Sequence, residues 1–158
     1  MPGSAPPERS ITTADAAETR RLAASLAAAA EPGDLVCLWG DLGAGKTHLA
    51  KAFGAGLGVA ETITSPSFVL MAEYAGRLPL FHLDPYRLAD ASDALAGGLL
   101  DDRQSAGVTL IEWPERLGSA LPSPRLDVVI LGVGEEVRHI ELRTAGDGLD
   151  RLVAAATP

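Results

Sequence analysis

The chain has 158 residues, 47% hydrophobic, 4% aromatic and 22% charged, with a formal net charge of -8 and an isoelectric point near 4.8. One domain of this length can bury a core of Leu, Val, Ile and Ala, which excludes disorder of the whole chain. With 13 Lys and Arg against 21 Asp and Glu, the chain does not offer the field that phosphate backbones seek, and it is not expected to grip nucleic acid itself.

Residues 1–8 read as a flexible start, and 9–158 as a single domain. Arg9 to Thr13 suits a short edge strand. A helix over about 15–30 opens on a capping-box pair, Asp15 and Glu18, and is stopped by Pro32-Gly33. Within it Arg20-Arg21 precede the apolar run Leu22 to Ala30. The charges before that pair nearly cancel, so it is read as an ordinary helix and not as an export signal. No stretch is long enough to span a membrane, and a cytoplasmic location is expected.

Asp34 to Trp39 is a continuous apolar run, suited to a strand covered on both faces. The single cysteine, Cys37, lies in it and reads as a reduced core thiol. A glycine-rich loop follows, then a helix from about Lys46 to Leu57, ended by Gly58. Ser67 to Tyr74 alternates, with Phe68, Leu70, Ala72 and Tyr74 on one face. After a turn at Ala75-Gly76-Arg77, Leu78 to Leu83 returns as the second arm of an antiparallel hairpin.

Residues 88–105 read as helix and loop with a break at Gly97-Gly98, and Val108 to Ile111 as a buried strand. Arg125 to Val133 and Val137 to Leu142 read as two strands joined at Gly134. A short helix over about Gly148 to Ala156 closes the chain. The expected fold is α/β: a P-loop NTPase fold with a central mixed β-sheet flanked by helices and antiparallel hairpins.

Gly40-Asp41-Leu42-Gly43-Ala44-Gly45-Lys46-Thr47 fits the pattern G-x-x-x-x-G-K-[ST]. The glycines permit a compact loop whose backbone N–H groups face phosphate oxygens, and the following helix adds the positive end of its dipole. Lys46 supplies a full charge to the outer phosphates, and the Thr47 hydroxyl is suited to Mg²⁺. The motif alone also fits a glycine-rich turn, since the chain has 17 glycines. A buried strand ending at the first glycine and a helix starting at the lysine decide for phosphate binding. Of the two lysines, Lys46 and Lys51, neither lies in an N-K-x-D guanine reader, which favours ATP.

Hydrolysis further needs a switch segment, a metal-holding carboxylate and a group that orients water. Thr64-Ser65-Pro66-Ser67 carries hydroxyls suited to sensing Mg²⁺ or the γ-phosphate, and reads equally as a turn and strand start. Asp84 and Glu112 each end an apolar strand and converge on the ligand-binding edge of an α/β sheet. Spacing does not say which of them holds Mg²⁺ and which positions water. The bland readings are a cap before Pro85 for Asp84 and a surface glutamate for Glu112. His82 lies two residues before Asp84, on the same strand face. It reads first as a satisfied core histidine, with pairing to a carboxylate as the alternative. With one cysteine and scattered His48, His82 and His139, no metal-ligand cluster is spelled out.

In order, Gly40 to Thr47, Thr64 to Phe68, His82-Leu-Asp-Pro-Tyr-Arg-Leu88 and Ile111-Glu-Trp-Pro-Glu-Arg116 give the chain a resemblance to the TsaE (YjeE) family, over about residues 11–143. That family supplies a weak ATPase to bacterial N6-threonylcarbamoyladenosine synthesis on tRNAs reading codons that begin with A. The resemblance implies that ATP and Mg²⁺ are the cofactors and that TsaD-like and TsaB-like proteins are the partners, with tRNA reached only through them and no membrane involved. It implies that Asp41, Leu42, Gly43, Ala44, Gly45, Lys46, Thr47 and Arg138 bind the nucleotide. Thr47 and Glu112 would sit at the metal, and Asp84 would support the metal or the switch. Thr64, Ser65 and Ser67 would form that switch, and Lys46, Asp84 and Glu112 would carry catalysis. Trp113 would serve the site or a partner. The chain departs from the family at His48, where Thr or Ser is common and a helix surface position is expected. It departs also at Ser67, which keeps the hydroxyl of a usual Thr, and across Ala91 to Asp102.

Two other functions share these residues. A small-molecule kinase needs an acceptor pocket and an arginine-bearing lid, and no compact lid insert is visible between about 88 and 107. A nucleotide-gated adaptor would use ATP binding alone to order a partner surface.

Overall fold

The computed structural model describes residues 2–3, 5–41, 43–64, 71–85, 102–132 and 137–158, with the side chains of Asp102 and Arg103 left aside. Seven strands form one sheet: β1 (Arg9–Thr13), β2 (Leu35–Trp39), β3 (Met71–Tyr74), β4 (Leu80–Leu83), β5 (Val108–Glu112), β6 (Arg125–Leu131) and β7 (Arg138–Ala145). Their spatial order is β1-β7-β6-β2-β5-β4-β3. The four central strands, β6, β2, β5 and β4, run parallel. Antiparallel pairs close both sides, β3 on β4, and β7 between β6 and β1. β7 runs three residues beyond the expected Leu142, because its pairing with β6 continues to Arg125 opposite Ala145.

The central strands are buried on both faces, as their unbroken apolar runs require. Alternation divides them. Val36, Leu38, Leu80, Val108, Leu110, Leu126 and Val128 face the main core with α1 (Ala16–Ala29), α2 (Lys46–Gly56) and α3 (Asp150–Ala155). Leu35, Cys37, Trp39, Phe81, Leu83, Ile111 and Val129 face a smaller cluster closed by Leu117. Burial pushes the Cys37 thiol far above its ordinary value, so it stays a neutral core thiol.

α1 starts where the capping pair predicts: Asp15 accepts from the Glu18 N–H at 2.9 Å, and the Glu18 carboxylate accepts from the Ala14 N–H at 2.7 Å. Leu22, Ala23, Leu26 and Ala27, from the run after Arg20-Arg21, are buried in the core. The alanines matter for approach. A Cβ on Gly56 of α2 would lie 2.9 Å from the Ala27 Cβ and 3.0 Å from the Ala24 Cα. Two small-residue faces therefore bring α1 against α2, which fixes α2 over the sheet.

After β5 the chain turns through Trp113 into a 3-10 helix, Pro114–Ala120, which the sequence reading did not anticipate. Among the described residues, no helix is long and apolar enough to cross a membrane. The expectations for 67–70, for most of 88–105 and for the turn at Gly134 fall outside the described residues.

Candidate functional site

The parallel register places three chain segments side by side. Leu38 of β2 pairs with Glu112 of β5, and Leu83 of β4 pairs with Ile111. The loop after β2, the end of β5 and Asp84 after β4 therefore share the C-terminal edge of the sheet. This is the edge where α/β folds bind ligands.

The loop from Gly40 is a tight wrap into α2. Gly40 has no room for a side chain, since a Cβ there would lie 2.8 Å from the Ile130 carbonyl oxygen. Gly45, the residue before α2, takes φ +104°, a left-handed conformation open to glycine at little cost. With no side-chain cap at Gly45, the first N–H groups of α2 face the cleft with the positive end of the dipole. The cleft is about 220 Å³ and is lined by Asp41, Gly43, Gly45, Lys46, Thr47, His48, Glu112 and Trp113.

Lys46 is almost fully buried there. Its Nζ donates to the Gly40 carbonyl and, at 3.2 Å, to the Asp41 carbonyl. The ammonium also sits 3.7 Å from the centre of the Trp113 ring, a cation–π contact. Burial lowers its pKa, while the charges of Glu115, Glu112, Asp41 and Asp84 oppose that shift. The cleft is therefore acidic around its one lysine, a field that suits an added cation. Trp113 holds φ +55° and ψ +49°, an uncommon left-handed conformation for an aromatic residue.

The Thr47 hydroxyl donates to Glu112 Oε1 at 2.9 Å. The other oxygen, Oε2, lies 2.6 Å from His82 Nε2. His82 and Glu112 are both fully buried, so Glu112 is not the surface glutamate of the bland reading. His82 has its carboxylate partner, while its Nδ1 has no hydrogen-bond partner among the described residues. Asp84 is half-buried and near enough to act on Lys46. Arg138, at the start of β7, donates through Nε to the Ala44 carbonyl at 2.9 Å and so reaches the loop. Thr64 is exposed, and Leu42, Ser65 and Ser67 lie outside the described residues.

His48 departs from its expected place on the helix surface. It is half-buried and lines the cleft, with its Nε2 buried and without a partner among the described residues. The position directly after Thr47, in the first turn of α2, was the available signal.

The family described as threonylcarbamoyl adenosine biosynthesis protein TsaE matches residues 13–140. The chain belongs to the TsaE family. The tRNA threonylcarbamoyladenosine biosynthesis protein TsaE of Bacillus subtilis is 41% identical over 141 residues, covering 89% of this chain and 88% of that protein. The Treponema pallidum protein of the same name is 43% identical over 110 residues, 70% of this chain and 82% of its own. The crystal structure of Bacillus subtilis YdiB is similar with a TM-score of 0.73 and 37% identity, covering 92% of this chain and 91% of that one. As a TsaE-family protein, the chain is a component of tRNA threonylcarbamoyladenosine biosynthesis. The stretch matched to TsaE contains the whole loop, Asp84, Glu112 and Arg138.

Proposed function

We propose that this chain is the ATP-binding and slowly hydrolysing TsaE component of threonylcarbamoyladenosine synthesis, acting in the cytoplasm through TsaD-type and TsaB-type partners. The observation that carries the reading is the contact of Thr47 with Glu112, made directly behind the loop that holds Lys46.

Lys46 and the N–H groups of the loop and of α2 bind the triphosphate. The Lys46 ammonium rests on two carbonyls and the Trp113 ring, which keep it inside the cleft. Arg138 steadies the loop at Ala44, next to the residues that hold the nucleotide.

The donors fit a hard cation. Thr47 donates its O–H in a hydrogen bond to Glu112, which leaves the hydroxyl lone pairs for a metal, and Glu112 offers carboxylate oxygens that are already desolvated. Among the described residues, no three His, Cys, Asp or Glu side chains gather into a protein-only cage. Mg²⁺ takes one or two protein oxygens and completes its shell with phosphate and water. Thr47 and Glu112 would hold it, with Asp84 supporting the metal or the attacking water. When bound, Mg²⁺ neutralises charge on the β- and γ-phosphates. Thr64, Ser65 and Ser67 form the switch that answers the γ-phosphate.

The acidic chain acts on its partners and leaves the tRNA to them. Reconstitution tests this. With TsaB, TsaD, ATP and threonylcarbamoyl-adenylate, addition of the chain is expected to give repeated modification of tRNA. Active partners that stay at a single round would refute the proposal.

A further inference from the structure

We infer that His82 is a positioning residue of the cation site, holding one oxygen of Glu112 so that the other stays turned toward Thr47. The inference rests on the proposed reading of the cleft as a site for ATP with a divalent cation. The geometry comes from the sheet. His82 is in register with Leu110, two residues before Glu112 on the neighbouring strand. Side chains two apart share a face, so the imidazole and the carboxylate meet diagonally on the side that carries α2.

The last torsion of a glutamate is broad, so a carboxylate anchored at one oxygen swings. Here both oxygens are assigned, Oε2 to the imidazole at 2.6 Å and Oε1 to Thr47 at 2.9 Å. A carboxylate only accepts, so Nε2 donates. The ring is otherwise out of place. Its neighbours in β4 are Leu80, Phe81 and Leu83, and its Nδ1 is buried with no partner among the described residues. An apolar side chain would fill this position without a bare ring nitrogen. A polar group is accounted for at position 82 by its hold on Glu112.

The test compares the full-length chain with His82→Leu and His82→Gln, whose amide reaches to about where Nε2 lies. ATP binding is measured by calorimetry in EDTA and across a Mg²⁺ titration. His82→Leu is expected to raise the Mg²⁺ concentration for half-maximal binding by about 10–100-fold, with ATP affinity in EDTA held within about twofold. His82→Gln is expected to restore most of the loss. An unchanged Mg²⁺ dependence in His82→Leu would overturn the inference, as would an equal loss in EDTA or equal behaviour of the two variants.

If His82→Leu does not fold, His82→Asn replaces it. Its amide stops one methylene short of Glu112, so Asn should show the Mg²⁺ shift and Gln should not. Identical Asn and Gln curves would then overturn the inference. A native chain that binds ATP without any Mg²⁺ dependence would refute the reading of the site itself, a result distinct from a native chain that responds and a variant that responds equally.

Discussion

Thr47 of α2 donates a 2.9 Å hydrogen bond to Glu112 of β5, a residue 65 positions away in the chain. The contact joins the first turn of α2 to the end of a central strand. It makes the hydroxyl and the carboxylate one unit. In the proposed site Glu112 is the carboxylate paired with the Thr47 hydroxyl, and Asp84, at the end of the neighbouring β4, supports the metal or the attacking water.

Glu112→Gln keeps the shape of this unit and removes its charge. Mg²⁺-dependent phosphate release from ATP is expected to fall at least about 10-fold. ATP binding in EDTA is expected to persist or tighten, because one negative charge beside the phosphates is gone. Phosphate release assays and calorimetry on the same preparation check both halves. A variant with full turnover at ordinary Mg²⁺ would remove Glu112 from the cation site.

Lys46→Met separates binding from folding. Burial holds the Lys46 ammonium below the ordinary lysine value of 10.5. In the window between that lowered value and 10.5, the unfolded chain binds more protons than the folded one. Stability of the nucleotide-free protein therefore rises with pH across this window, and the penalty for burying the charge is fully present below it. In Lys46→Met this alkaline rise should vanish, and the stabilisation by ATP should be lost with it. Melting temperatures across the alkaline range, with and without ATP, read both effects. A variant that ATP still stabilises would contradict the assignment.

The frame of this fold was legible because local signals agreed. The Asp15–Glu18 pair, the apolar run into Gly40 and the hairpin around Gly76 each had a mechanism; the helix and the strand formed near their predicted bounds, and the hairpin pairs antiparallel over its described part, Met71–Tyr74 with Leu80–Leu83. At the site, the loop was legible from its glycines, and Asp84 and Glu112 from their places at strand ends. What joins them was not. The contact of His82 with Glu112 depends on β4 lying beside β5 in one register, and that register is a tertiary fact. The bend at Trp113 was hidden because left-handed backbone is normally signalled by Gly or Asn, and an aromatic gives no such sign. His48 was misplaced because helix periodicity does not reveal that a first turn borders a cleft.

Arg77 is predicted to act on stability alone. From the hairpin turn its Nη2 donates to the Ala27 carbonyl at 2.7 Å and the Ala30 carbonyl at 3.0 Å. These carbonyls close the last turn of α1, where no residue of the helix itself is basic. A guanidinium there meets the negative end of the dipole and adds a charged donor to carbonyls at the helix end, of which Ala27 also accepts from the Ala30 N–H at 3.2 Å. Arg77→Met should cost about 1.5–3 kcal/mol in urea unfolding, the range for hydrogen bonds to a charged group. ATP affinity should not change, since the turn at Arg77 is not part of the cleft. A neutral effect on stability would show that water replaces the guanidinium without loss.

The two tryptophans should report differently on the nucleotide. Trp39 is buried and gives its indole N–H to Asp127 at 2.8 Å, and Arg125 engages the same carboxylate at 3.0 Å. That network lies on the sheet face away from α2. Trp113 instead faces the Lys46 ammonium at 3.7 Å. When phosphates draw that ammonium toward themselves, the charge over the Trp113 ring changes and its emission must follow. Adding ATP is therefore expected to shift intrinsic fluorescence in Trp39→Phe and to leave it nearly flat in Trp113→Phe. Phe keeps a ring over the ammonium, so Trp113→Phe should still bind ATP by calorimetry, with the cation–π contact weakened by no more than about 1 kcal/mol. A signal that follows Trp39 would mean that the nucleotide is felt through β2 and not at the ammonium.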